Sequence, residues 1–236
     1  MMFNIEEGLS APELLARASE HFGEGLVFTT AFGLEGSALL HMIAREKLPI
    51  RVVTLDTGLL FEETRRAWQR LESELGLRIE GVLPTLTLEQ QASLHGSELW
   101  LRHPDRCCDL RKVQPLRQVL SEATAWITGI RRSQSHERAH APKAGWDERF
   151  EVVKLNPLAD WSTKDVRAYL EENEVPYNPM FDDGYPSIGC APCTRRVSPD
   201  EDERAGRWAG FDKRECGLHW APGPDGKPRL QREASS

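Results

Sequence analysis

Residues 25–37, GLVFTTAFGLEGS, decide how the rest of the chain is read. The run from Gly25 to Thr30 is apolar and rich in residues that favour a pleated, buried strand. The next seven residues, Ala31-Phe32-Gly33-Leu34-Glu35-Gly36-Ser37, carry two glycines and a serine and lead into an apolar-periodic helix through about Glu46. Strand, glycine-bearing turn, helix is the arrangement that aims backbone N–H groups and a helix N-terminus at an anion. The turn is neither a Walker A loop, which needs Gly-Lys-Ser/Thr, nor the G-x-G-x-x-G dinucleotide fingerprint. Gly33 and Ser37 are its candidate anion contacts, and an ordinary tight strand–helix turn is the competing reading.

The same rhythm continues outward. RVVTL at 51–55 is a second strand ending in Asp56-Thr57-Gly58, and 62–75 is a second helix. Residues 77–83 form a third strand and 87–94 a short helix. The Cys107-Cys108 pair opens a helix through about Ser121, and strands follow at 125–130 and 151–155. Alternation of this kind predicts an α/β fold, a mostly parallel sheet with helices on both faces. Ligands of such sheets bind beyond the strands' carboxyl ends, here at Asp56-Thr57-Gly58 and at Gly129-Ile130-Arg131-Arg132. Arg131, Arg132, Arg138, Arg204 and Arg207 offer guanidinium forks for phosphate or sulfate oxygens. The polar stretch 131–148 is expected to be a mobile active-site loop. Ser162 and Asp165 mark a helix start, and 178–193 is loop. Apolar density falls after Gly210, and 222–228 reads as disordered. The chain therefore divides into a nucleotide-binding α/β domain over 1–209 and a flexible C-terminal segment over 210–236.

With 236 residues, 39% of them apolar and 28% charged, the chain has the composition of a globular protein. A net charge of −7 argues against a general nucleic-acid binder. No apolar run is long enough to cross a membrane, and the acidic N-terminus lacks a signal pattern. A cytoplasmic location is expected, where disulfides rarely persist, so the five cysteines need another explanation.

Four of them form two pairs. Cys190-Ala191-Pro192-Cys193 is a C-x-x-C motif, ambiguous alone between a metal site and a redox dithiol; it follows a turn, whereas redox dithiols usually open a helix after a strand. Cys107 and Cys108 add two thiolates. Neighbouring side chains diverge and reach one small zinc ion with difficulty, whereas a [4Fe–4S] cubane offers separate corners. The cluster is thus favoured, with zinc the alternative. Arg102, Arg106, Arg111, Lys112, Arg195 and Arg196 crowd the pairs and would stabilise an anionic cluster; the competing reading is solvated helix faces. The fifth cysteine, Cys216, lies between Lys213-Arg214 and His219, a setting that favours the reactive thiolate.

Taken together, these motifs resemble the assimilatory adenylyl-sulfate (APS) reductases, the iron–sulfur branch of the APS/PAPS reductase family. The specific elements are Cys107-Cys108-x-x-Arg111-Lys112, Ile188-Gly189-Cys190-Ala191-Pro192-Cys193-Thr194-Arg195, Glu203-Arg204-x-x-Arg207-Trp208 and Glu215-Cys216-Gly217-Leu218-His219. The resemblance implies an adenine-nucleotide α-hydrolase-like fold and a [4Fe–4S] cluster on Cys107, Cys108, Cys190 and Cys193. It implies Cys216 as the nucleophile that expels AMP from adenosine 5'-phosphosulfate, leaving a cysteine S-sulfonate from which thioredoxin releases sulfite. Lys112, Arg138, Arg204 and Arg207 would hold the sulfate and phosphate oxygens, with Gly33, Ser37, Gly129 and His219 completing the substrate site. A homo-oligomer is compatible with it. Two departures bear on the substrate: the turn reads Ala-Phe-Gly-Leu, closer to some PAPS reductases, and the segment after Gln134-Ser135 differs from the usual pattern. PAPS or dual use is one alternative, and a zinc-stabilised nucleotide-binding module without reductase activity is another.

Overall fold

The computed structural model describes residues 8–213 and 215–219; Arg214 and the expected disorder at 222–228 fall outside them. Six strands form one sheet: β1 (Leu26–Thr30), β2 (Arg51–Leu55), β3 (Ile79–Val82), β4 (Ala125–Ile127), β5 (Ala144–Asp147) and β6 (Val152–Leu155). Their order is β3-β2-β1-β4-β6-β5, parallel except for the last pair. Helices α1 (Ala11–Phe22), α2 (Leu34–Arg45), α3 (Glu62–Leu75), α4 (Leu88–His95), α5 (Leu99–Arg102), α6 (Pro104–Cys108), α7 (Gln114–Leu120) and α8 (Thr163–Glu172) surround it.

The two faces follow from the period of two along each strand. Leu26 and Phe28 of β1 point into one core with Ile127 of β4, Leu155 of β6 and the apolar stripes of α1, α2, α3 and α8. Val27 points the other way, with Trp126, Val152 and the α7 residues Leu116, Val119 and Leu120. Both faces are therefore covered, as expected. Because β2 lies on one side of β1 and β4 on the other, the direction in which strands are added to the sheet reverses between β1 and β4, although the strands stay parallel. That reversal opens a crevice at their carboxyl ends.

Three local features differ from the sequence expectation. Helix α1 precedes the first expected strand; its start is a capping box, with Glu13 N–H donating to Ser10 Oγ and Ser10 N–H to the Glu13 carboxylate. Much of the stretch expected to be a mobile loop is ordered: residues 132–134 and 136–138 form short 3₁₀ turns, and β5 pairs antiparallel with β6. Charge along 131–148 hid a strand that lies at the sheet edge, where only one side needs pairing. Finally, Cys107 and Cys108 do not open a helix. Pro104 opens α6 and the cysteines close it, followed by a π-helical turn over Asp109–Val113. Pro115 supplies a cause, since it has no N–H for the Arg111 carbonyl and its ring crowds that carbonyl. Gln114 N–H instead reaches back five residues to Asp109. This widened turn carries Arg111 and Lys112.

Candidate active site

At the β1–β4 crevice the turn after β1 is tight and its geometry is fixed by short side chains. Thr30 Oγ1 accepts the Phe32 N–H at 3.0 Å. Phe32 sits at φ 58°, a left-handed backbone that few side chains adopt, held because its ring is buried and stacked on Trp68 at 5.6 Å. Gly33 is the N-cap of α2, so Gly36 and Ser37 belong to the helix's first turns and not to the loop. A Cβ on Gly36 would come within 2.5 Å of Thr30 Oγ1; only glycine lets the helix start lie against the strand end.

A cleft of about 240 Å³ runs from this turn to the C-terminal segment. Its walls include Gly33, Lys112, Gly129, Arg138, Arg204, Arg207, Cys216 and His219, so eight expected site residues meet in one place. Ser37 does not line it: its side chain is fully buried and its Oγ has no partner. Arg131 reaches the cleft but is committed to the protein. Its Nε donates to Glu35 at 2.7 Å, Nη1 to Ser133 and Nη2 to Thr163. That pair ties the end of β4 to the start of α2. Arg132 likewise donates to the Ala141 carbonyl.

The two cysteine pairs lie on the side of the cleft beyond β2. Cys107, Cys108 and Cys190 are buried, Cys193 nearly so, and all are free thiols. Residues 191–193 form a 3₁₀ turn pinned between Leu59 O, which accepts Ala191 N–H, and Trp208 N–H, which donates to Cys193 O. Burial pushes the Cys107 thiol up to about 12, and its neighbours Cys108, Cys190 and Cys193 add to this. Burial likewise raises Cys108, and Cys193 to about 11. Cys190 goes the other way: burial opposes its charge, but the Lys112 ammonium and a contact with Thr57 Oγ1 at 3.4 Å bring it below the usual thiol. Burial works against the Lys112 charge too, and Cys190, Cys108 and Cys216 outweigh it and hold that ammonium above its usual value. The four thiols thus act on one another directly, and Lys112 acts on Cys108, Cys190 and Cys193 while Arg111 acts on Cys107. Among the described residues, no group of three or more His, Cys, Asp or Glu side chains is arranged to hold a metal ion.

Of the six cations expected around the pairs, only two face them. Arg111 is buried, donating to Thr57 O and, at 3.1 Å, to Gln91, whose amide in turn lies 4.0 Å from Cys107 Sγ. Arg102 binds the carbonyls of His95 and Ser97, Arg106 pairs with Asp109, Arg195 with Glu201, and Arg196 lies over the Tyr185 ring. For these four the solvated-surface reading holds. Gln91 and Thr57 carry no local sequence signal as neighbours of cysteine; only tertiary packing brings them there.

The C-terminal segment is seated in the cleft. Glu215 forms a fork-to-fork pair with Arg138 at 2.9 Å and 2.9 Å and also meets Arg204 at 3.2 Å. Lys213, expected to act on Cys216, instead pairs with Asp105 and lies over the Trp208 ring; Arg214 is outside the described residues. The cations electrostatically coupled to Cys216 are Lys112 and Arg204. Arg207 donates to Ile188 O at 3.1 Å and packs so closely on Gly189 that a Cβ there would overlap its guanidinium. Leu218 joins the second core, and Arg149 donates to the Gly217 carbonyl. His219 stacks on Trp126 at 5.4 Å. Burial holds it well below the usual imidazole value, with Lys154, Arg138 and Arg204 adding to the effect.

No helix among the described residues is long and apolar enough to cross a membrane. The family model for the phosphoadenosine phosphosulfate reductase domain matches residues 25–196. The chain is 48% identical over 210 residues to adenosine 5'-phosphosulfate reductase 1 of Bacillus subtilis, covering 89% of this chain and 90% of that protein. It is 47% identical to the adenosine 5'-phosphosulfate reductase of Geobacillus thermodenitrificans, over 90% and 91% of the two chains. Among solved structures, the Candida auris phosphoadenylyl-sulfate reductase in a phosphate complex superposes with a TM-score of 0.71 at 34% identity, over 80% of this chain and 91% of that one. The Candida glabrata FMN adenylyltransferase shares the fold at a TM-score of 0.54 and 13% identity, over 83% and 69%.

Proposed function

The chain belongs to the phosphoadenosine phosphosulfate reductase domain family, and from that premise we propose that it reduces adenosine 5'-phosphosulfate to sulfite and AMP in sulfate assimilation. It is an oxidoreductase acting on sulfur. The observation that carries the reading is convergence: a free thiol, Cys216, shares one cleft with Lys112, Arg204, Arg207 and the backbone turn at 31–36.

The Cys216 thiolate attacks the sulfur of the phosphosulfate. The new S–S bond forms as the bond from sulfur to the bridging phosphate oxygen breaks, and the electron pair leaves on AMP. Lys112, Arg204 and Arg207 neutralise charge that grows on the departing phosphate, which is where cations lower the barrier most. The nucleotide lies over the start of α2, along Gly33 and Gly129. A thiol of a reduced dithiol partner, thioredoxin by resemblance, then attacks Cys216 Sγ, and sulfite leaves with the electron pair. The partner's second thiol resolves the mixed disulfide, so two electrons come from the dithiol. Between these steps Cys216 and its described neighbours 215–219 leave the cleft to present the S-sulfonate.

Cys107, Cys108, Cys190 and Cys193 are the proposed ligands of a [4Fe–4S] cluster. Three buried thiols and one half-buried thiol that feel one another's charge form an all-sulfur donor set, and the vicinal Cys107-Cys108 pair suits the separate corners of a polynuclear cluster better than a single ion. When bound, the cluster supplies a fixed block of charge beside Lys112, and iron binding would release the protons that burial keeps on Cys107 and Cys193. A colourless preparation containing zinc and no iron would replace this reading with the zinc-stabilised one.

The test is an anaerobic assay with labelled adenosine 5'-phosphosulfate, followed by mass analysis of the trapped adduct. Sulfonate on Cys216 is expected; sulfonate on another cysteine overturns the mechanism. Turnover on the 3'-phosphorylated nucleotide in parallel decides between single and dual substrate use, which the Phe32-Gly33-Leu34 turn leaves chemically open.

A further inference from the structure

Arg138 is placed to do something other than hold substrate. All three of its guanidinium nitrogens have protein partners: Nε meets Glu215 Oε1 at 2.9 Å, Nη2 meets Oε2 at 2.9 Å, and Nη1 meets Gln134 Oε1 at 2.6 Å. Gln134 is anchored in turn, because its Oε1 accepts the Arg131 N–H at 3.1 Å and its Nε2 donates to the Gly129 carbonyl at 3.3 Å. A continuous chain of hydrogen bonds thus runs from the end of β4 through Gln134 and Arg138 to Glu215, the residue before Cys216. Both ends of the Arg138–Glu215 pair are largely buried, at 10% and 17% side-chain exposure, so water and salt screen it little.

We propose that this ion pair seats the Cys216 thiol in the cleft, and that Arg138 is a positioning residue for the nucleophile and not a ligand of the phosphosulfate. The proposal rests on the reading of Cys216 as the nucleophile. A fork-to-fork pair fixes direction as well as distance, which a lone charge does not. The other contacts of the segment are of different kinds: Lys213 pairs with Asp105 through a single ammonium, the Gly217 carbonyl accepts from Arg149, and His219 stacks on Trp126. Glu215 also balances one of the two charges of Arg138 and Arg204.

The test uses the full-length protein purified anaerobically, with Arg138→Gln, Glu215→Gln and the double variant. Alkylation of Cys216 by iodoacetamide, an uncharged probe, is followed by peptide mass mapping without nucleotide. Each single variant is expected to raise the alkylation rate about tenfold, and the double variant to add nothing further, as partners in one interaction do. AMP affinity is expected to stay within about threefold of wild type, while single-turnover formation of the Cys216 adduct slows at least tenfold. Arg138→Lys, which keeps charge without the fork, should recover only part of that rate. An unchanged alkylation rate, additive effects in the double variant, or a tenfold loss of AMP affinity in Arg138→Gln would overturn the proposal. Alkylation is read without substrate, so a protein inactive on adenosine 5'-phosphosulfate would refute the proposed reaction while the seating result still stands on its own.

Discussion

The four paired cysteines and the lone one are held by opposite means. Cys107 and Cys108 close the short helix α6, and Cys190 and Cys193 lie at the two ends of a 3₁₀ turn held between Leu59 and Trp208; backbone hydrogen bonds fix both. Cys216 sits on a segment with no regular structure, held by side chains: an ion pair, a stacked ring, one apolar contact. Backbone anchoring gives sulfurs that keep one position. Side-chain anchoring gives a sulfur that can be placed, removed and placed again, since each contact is separately reversible. The cleft lies between the two, and Lys112 touches both: its ammonium senses Cys190 and Cys108 on one side and Cys216 on the other.

The largest effect should come from the lone sulfur, Cys216. Cys216→Ser is expected to lower turnover by at least about 10³-fold while leaving AMP binding and iron content as in wild type, because a hydroxyl is a far poorer nucleophile than a thiolate. Measuring all three on one preparation separates loss of chemistry from loss of fold. Wild-type turnover in that variant would remove the distinction between the two groups of cysteines. Cys190→Ala makes the reciprocal case: iron should be lost with the thermal midpoint lowered, and analysis of bound metal with a melting curve checks it.

Lys112→Ala comes next, at about 10²-fold in turnover, the magnitude typical for losing one preorganised charge at a developing anion. It removes a half-buried cation coupled to both sulfur groups, so it probes their coupling directly. Turnover and substrate affinity both equal to wild type would sink the idea that charge near the quartet is felt at Cys216.

How far the residues announce this arrangement depends on whether the signal is local. The β1 run, the Gly33–Gly36 turn and the α/β alternation are legible because each element's apolar pattern faces its own core. The cysteine groups are legible because thiols are few and their spacing is chemical. Strand β5 was hidden by its charge, and the end of the Cys107-Cys108 helix by Pro115, whose effect is felt four residues earlier. The partners of arginines are the least legible. Arg131, Arg132 and Arg138 stand on a stretch that looks made for anions, yet Glu35, the Ala141 carbonyl and Glu215 meet them. Their partners are between 9 and 96 residues away, and nothing in the spacing reports a guanidinium already bound. Arg204 and Arg207 are different, because the resemblance places them by motif.

The smallest effect expected concerns His219, and it tests the seating of the lone sulfur by pH alone. When the segment is docked, the ring is buried on Trp126 with Nδ1 unpartnered, and Lys154, Arg138 and Arg204 face it, Lys154 being itself paired with Asp147. Its docked pKa therefore lies well below 6.5, while in an undocked segment it returns to about 6.5. A histidine whose pKa is lowered on docking costs nothing at pH above about 6.5, where both states are neutral. Below that value only the undocked state takes up the proton, so docking weakens by up to about tenfold per pH unit. Amide hydrogen exchange at 215–219, corrected for the intrinsic pH dependence, should show protection constant from pH 8 to 7 and falling between pH 6.5 and 5.5. In His219→Phe, which keeps an aromatic ring on Trp126 without a titrating nitrogen, the fall should vanish. If the variant and the wild type lose protection in parallel, the imidazole does not carry the pH dependence and the stacked ring is only packing.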